Sequence, residues 1–129
     1  MSKRRSFEVA GIEHESPIPA ATRIGPLIMS SGIFPRDPAT GKAPEGLEKQ
    51  TALLFANIRR VVESAGGTTG DIVKITVWAK DGTTKDHLNK EWLAMFPDPH
   101  SRPARHMFLY QDMPANMLIQ CDLTAYVTD

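Results

Sequence analysis

The chain has 129 residues, room for one domain able to bury a core without disulfides or a structural metal, and a single domain rather than two is expected. Fifteen Lys and Arg balance fifteen Asp and Glu, so no excess of positive charge marks a nucleic-acid surface. With 41% apolar and 23% charged residues the composition is that of a folding globular chain, not a disordered one.

The basic start Lys3-Arg4-Arg5 leads into Phe7, Glu8 and Val9 with no apolar run behind it, so it lacks the form of a secretory signal. No stretch approaches the roughly 20 apolar residues of a membrane span, and a lone cysteine, Cys121, cannot pair within the chain. A membrane partner is therefore not expected, and a cytoplasmic setting is. Residues 1–15 read as an extended N-terminal segment of a single domain covering 1–129, with a short strand near Phe7 to Ala10.

Two apolar runs flank Gly25-Pro26, which predicts a strand, a tight turn and a second strand through Leu27-Ile28-Met29. Phe34 to Pro44 is dense in Pro, Gly and Asp and predicts a surface loop. Between Gly46 and Ala65 the residues Leu47, Thr51, Leu54, Ile58, Val61 and Ala65 recur at helical spacing, giving an amphipathic helix that Gly66-Gly67 ends. Asp71 to Trp78 is a β-branched strand. Thr83 or Thr84 can cap a second helix, whose stripe Leu88, Trp92, Met95 and Phe96 runs to Pro97.

Arg105 to Tyr110 reads as a short strand, and Met117 to Val127 as a long one with strict alternation. Met117, Ile119, Cys121, Leu123, Ala125 and Val127 form an apolar face; Leu118, Gln120, Asp122, Thr124 and Tyr126 form a mixed one. The expected fold is α+β, one mixed sheet with two helices on one face. Its uncovered face suits either a closed homo-oligomer or a monomer with one wet side.

Among candidate groups, Arg105 follows Pro103-Ala104 and its planar fork matches a carboxylate, although any of the fifteen acidic residues could pair with it instead. His106 should point away from Arg105 by strand alternation. Gln120 and Asp122 share a face, where only Asp122 can act as a base; both also suit plain inter-strand hydrogen bonding. Cys121 reads as an inert core thiol. His14, His87, His100 and His106 show no metal-ligand spacing, so no metal is expected. Gly66 to Gly70 follows a helix rather than opening one, unlike a phosphate loop. Trp78 and Trp92 lie at core periods, without the basic residues of a nucleic-acid stacking platform.

Several stretches, taken together, carry a resemblance: Ser31-Gly32-Ile33-Phe34-Pro35-Arg36-Asp37-Pro38-Ala39-Thr40-Gly41, Gln50, Asn57-Ile58, Glu63-Ser64-Ala65-Gly66, Asp71 to Val77, Asn89, and Arg102-Pro103-Ala104-Arg105. In order and spacing the chain resembles the reactive intermediate deaminase family, also called Rid or YjgF, from about Ser16 to Val127. That resemblance implies a chorismate-mutase-like α+β fold and a homotrimer with clefts between subunits. It implies hydrolysis of 2-imino or enamine acids, released by pyridoxal-phosphate enzymes, to 2-keto acids and ammonia, with no cofactor of its own.

By the same resemblance Arg105 binds the substrate carboxylate, and Ser31, Gly32 and Asn89 line the cleft. Gln120 stands where deaminating members carry a glutamate, and Ile18 where they carry an aromatic residue. Asp122 is a possible substitute for the glutamate. The alternatives are a weakly active or inactive trimer that binds a small carboxylate or a partner protein, or a deaminase for another enamine such as an aminomuconate. A ribonuclease role, described for some members, has no basic patch to support it.

Overall fold

The computed structural model describes residues 3–128. A six-stranded sheet runs β1 (Arg4–Phe7), β2 (Ala21–Ile24), β3 (Leu27–Ser30), β6 (Ile119–Tyr126), β4 (Ile72–Ala79) and β5 (Ala104–Leu109) in spatial order. All neighbours are antiparallel except β4 and β5, which are parallel and joined through helix α2 (Lys85–Met95). Helix α1 (Leu47–Ser64) connects the N-terminal strands to β4. The expected α+β fold, two helices on one face of a mixed sheet, is what the chain adopts.

The core lies between the sheet and the helices. Ile28, Ile75, Val77, Ile119 and Leu123 meet Leu54, Ile58, Val61, Val62 and Leu88 there, all essentially inaccessible to solvent. Burying a side chain of this size contributes about 1.5–3 kcal/mol, so this layer dominates the stability. The alternation read along β6 holds: Ile119, Cys121, Leu123 and Ala125 are buried, while Gln120, Asp122 and Thr124 are half-buried and Tyr126 is exposed.

Local chemistry sets the boundaries. Gly25 at φ 56° takes the first central position of the β2–β3 turn, and Pro26, confined to negative φ, excludes the turn with two positive values. Helix α1 ends in a Schellman motif: the Gly67 amide donates to the Val62 carbonyl and the Gly66 amide to the Glu63 carbonyl, with Gly66 at φ 87°.

Several expectations are corrected. The N-terminal strand lies at Arg4–Phe7 rather than Phe7 to Ala10. Strand β6 begins at Ile119 rather than Met117, because the Leu118 amide donates to the Gln50 side chain, Oε1 at 2.8 Å, instead of to a neighbouring strand. Neither Thr83 nor Thr84 caps α2 with its side chain. Asp81 instead accepts from the Thr83 amide and hydroxyl, capping the short 3-10 turn that leads into the helix. Trp78 is not a core residue: it stacks on Phe108 at 5.1 Å on the sheet face without helices.

Two buried polar side chains of α1 hold the irregular segments. Gln50 Nε2 donates to the carbonyls of Pro44 and Asn116, both at 2.9 Å. Asn57 Nδ2 donates to the carbonyls of Phe34 and Arg36, both at 2.8 Å, while its Oδ1 accepts from Arg60. The loop expected from Phe34 to Pro44 is thus an ordered turn pinned to the helix.

Candidate functional site

Arg105 pairs in register with the core residue Ile75, so its side chain rises on the helix-bearing face. There α2 offers Asn89 and Trp92, three residues apart on one helix face. The Arg105 guanidinium carbon lies 4.8 Å from the Trp92 ring centroid, and one Nη donates to Asn89 Oδ1 at 2.9 Å. Both partners are neutral. Among the described residues no carboxylate forms an ion pair with Arg105, so its charge is oriented but not compensated. Partial burial lowers its pKa, leaving it a cation at every working pH.

Gln120 occupies the opposite face. It pairs with Trp78 in β4, and with Trp78 and Tyr110 it lines a hollow of about 220 Å³. No protein group hydrogen-bonds its amide among the described residues. Asp122, on the same face, accepts from Trp78 Nε1 at 3.3 Å. His106 also points away from Arg105, toward Phe108 at 5.4 Å, as alternation requires.

Ser31 and Gly32 follow β3 and adjoin β6, since Ile33 exchanges backbone hydrogen bonds with Cys121, next to Gln120. The Ser31 amide donates to Ala20, and the Gly32 carbonyl lies 2.8 Å from His14 Nε2. Ile18 is exposed and lines a cleft of about 540 Å³ with His14, Phe34, Arg36 and Met117. Within one chain, then, Arg105 and Asn89 meet on the helix-bearing face and Gln120 lies on the opposite one. The sequence reading missed Trp92 as the platform under Arg105, although its spacing from Asn89 carried that signal. It also missed His14, whose partner is 18 residues away.

Cys121 is fully buried; burial, with the neighbouring Asp122 carboxylate, raises its thiol pKa well above the usual range. Among the described residues no group of three or more His, Cys, Asp or Glu could hold a metal ion, and no helix is long and apolar enough to cross a membrane.

A mixed six-stranded sheet with two helices packed on one face is the fold of Rid/YjgF proteins. The family model described as Endoribonuclease L-PSP matches residues 12–127, and the chain belongs to that family. A RutC family protein of Pyrococcus abyssi is 31% identical over 127 residues, 98% of each chain. The 2-iminobutanoate/2-iminopropanoate deaminase of Salmonella typhimurium is 32% identical over 103 residues, 79% of this chain and 80% of that one. RidA from an Antarctic Psychrobacter superposes with a TM-score of 0.88 at 25% identity, covering 95% of this chain and 99% of that chain. For the YjgF gene product of Escherichia coli the values are 0.84 and 28%, with 95% and 98% covered.

Proposed function

We propose that the protein is a cytoplasmic, cofactor-free hydrolase that deaminates 2-imino or enamine acids to 2-keto acids and ammonia. The observation that carries this reading is the Arg105 guanidinium, held by Asn89 and Trp92 without an acidic partner. A carboxylate arriving there gains a charge-assisted, two-point contact whose geometry is already set.

In this reading Arg105 and Asn89 of one subunit and Ser31, Gly32, Ile18 and Gln120 of the next line one cleft of a homotrimer. The opposite faces of Arg105 and Gln120 within one chain, and the exposed Leu27, Met29, Phe108 and Tyr126 on the helix-free face, support such an assembly. Water adds to the imine carbon, and the resulting carbinolamine expels ammonia. Gln120 can orient that water through its amide oxygen but cannot take its proton, which passes to the departing nitrogen.

The test is a coupled assay in which an amino-acid oxidase releases 2-iminobutanoate or 2-iminopropanoate. Wild type should accelerate imine loss, Arg105→Ala should not, and Gln120→Glu should match or exceed wild type. Inactivity of all three would reject these substrates. The second reading, a carboxylate-binding trimer without efficient hydrolysis or a deaminase of another enamine, is favoured by Gln120, and by the engagement of Asp122 with Trp78. Carboxylate binding that depends on Arg105, without turnover even in Gln120→Glu, would establish the binding form. The ribonuclease alternative has only the family's description behind it, set against a balanced charge of fifteen and fifteen.

A further inference from the structure

Strand β4 runs between β5 and β6, and on the sheet face without helices its Trp78 pairs with Phe108 on one side and Gln120 on the other. Phe108 stacks on the indole at 5.1 Å with the two rings 28° from parallel. Asp122 accepts from the indole Nε1 at 3.3 Å. Tyr110, whose amide donates to the Ala79 carbonyl, meets the indole steeply, at 73° and 6.4 Å. Held from three directions, the Trp78 ring is a fixed wall rather than a loose surface side chain.

Beside it lies a hollow of about 220 Å³ lined by Trp78, Tyr110 and Gln120. That is the liquid volume of about seven water molecules. Two aromatic rings and one neutral amide bound it, and the Asp122 carboxylate, turned to the indole Nε1, is not among its walls. An ion placed there would find no counter-charge on these walls, so the hollow suits a neutral, apolar group. The steep angle between Trp78 and Tyr110 narrows the choice further. A flat ring can lie against one wall and edge-on to the other, the two arrangements aromatic pairs prefer, whereas a thicker aliphatic ring gains neither.

We infer that this hollow receives the side chain of the substrate, and that this side chain is an aromatic ring on a single methylene, as in the imino acid made by oxidising phenylalanine. The inference rests on the reading of Gln120 as the residue that orients water at the imine carbon. Residues directly opposite on paired strands have Cβ atoms about 4.5–5.5 Å apart, so a side chain attached to the carbon that Gln120 serves starts where the hollow starts. The ethyl group of 2-iminobutanoate would leave most of that space to water.

A binding arm tests this without turnover. Butanoate, 3-phenylpropanoate and 3-cyclohexylpropanoate are titrated into the full-length protein while the Trp78 indole N–H resonance, identified by its loss in Trp78→Phe, is followed. In wild type 3-phenylpropanoate should shift that resonance and bind about tenfold or more tightly than butanoate, and about threefold or more tightly than its cyclohexyl counterpart. Arg105→Ala should weaken all three. Equal affinity for phenyl and cyclohexyl forms would show an apolar hollow without a preference for a ring's flatness and overturn the inference. So would equal affinity for 3-phenylpropanoate and butanoate, the result expected if a neighbouring subunit fills the hollow, or phenyl binding that ignores Arg105.

A kinetic arm compares the imino acids made by an amino-acid oxidase from phenylalanine and from alanine. Wild type should favour the first by about tenfold or more in kcat/KM, and Trp78→Leu and Tyr110→Leu should each bring that ratio toward one. Both substrates are read on the same preparation, so a loss of folded or assembled protein cancels in the ratio. Arg105-dependent turnover without the preference would overturn the assignment of the hollow alone. Absence of all turnover would overturn the deaminase reading, and the binding arm would still decide the hollow.

Discussion

Replacing Gln50 by Met retains the volume of a buried side chain and removes its hydrogen bonds, so it isolates what this amide contributes. Wild-type Gln50 is fully buried and makes three bonds: to the carbonyls of Pro44 and Asn116 and from the amide of Leu118. Asn116 is exposed and water can replace its bond, at a net loss of about 1 kcal/mol. Pro44 and Leu118 are half-buried, and leaving each unpaired costs about 1.5 kcal/mol. With little cavity formed, the sum is about 4 kcal/mol, a large share of a typical domain's stability. That corresponds to a fall in Tm of about 10–15 °C for a chain of this size. Urea unfolding at fixed protein concentration measures it, with an unchanged m-value as the check that the unfolded state is unaffected. A loss below about 1 kcal/mol would refute the argument that these three bonds tie the 43–46 and 116–118 segments to α1.

Asn89→Asp would place a carboxylate 2.9 Å from the Arg105 guanidinium and turn a receptor into a closed ion pair; KM for an imino acid should rise about tenfold or more, read by steady-state kinetics beside Arg105→Ala. Cys121, buried with a raised thiol pKa, should resist a disulfide reagent in the native protein and react at the rate of unfolding, so fast labelling of folded protein would contradict its place in the core. The Asp81 pKa is lowered by its hydrogen bonds from the Thr83 hydroxyl and amide. A depressed carboxylate contributes stability above its unfolded pKa and loses it as pH falls through the folded value, so Asp81→Asn should flatten the decline of stability below about pH 4 in acid unfolding curves.

Most of the fold was legible because its elements have one strong period. The four-and-three spacing from Leu47 to Ala65 and the alternation from Ile119 to Ala125 each bury one face, and no other arrangement satisfies both. Gly66-Gly67 announces its helix end chemically. By contrast Arg4–Phe7 has no apolar alternation; it is a strand because β2 offers it a ladder, which is a property of the partner and not of its own residues. Trp78 was misplaced because a large aromatic at an alternating position fits either face, and only the position of the helices decides which is dry. Arg105 was found as a charge on a strand, yet its significance lies in a neutral clamp supplied by a helix earlier in the chain. His14 offered no local signal, since its meaning comes entirely from a carbonyl and a cleft assembled by distant segments.

That Arg105 and Gln120 point to opposite sides of the same sheet bears on how defects combine. If each cleft takes one of these residues from each of two neighbours, subunits damaged at only one of them are interchangeable parts rather than dead weight. Mixing Arg105→Ala and Gln120→Ala chains by joint refolding would, by random assortment, rebuild about a quarter of the clefts with both residues intact, while the same clefts are spoiled in either pure assembly. Complementation between two inactive alleles, read as recovered imine hydrolysis, would then be a property of the sheet's two-sidedness.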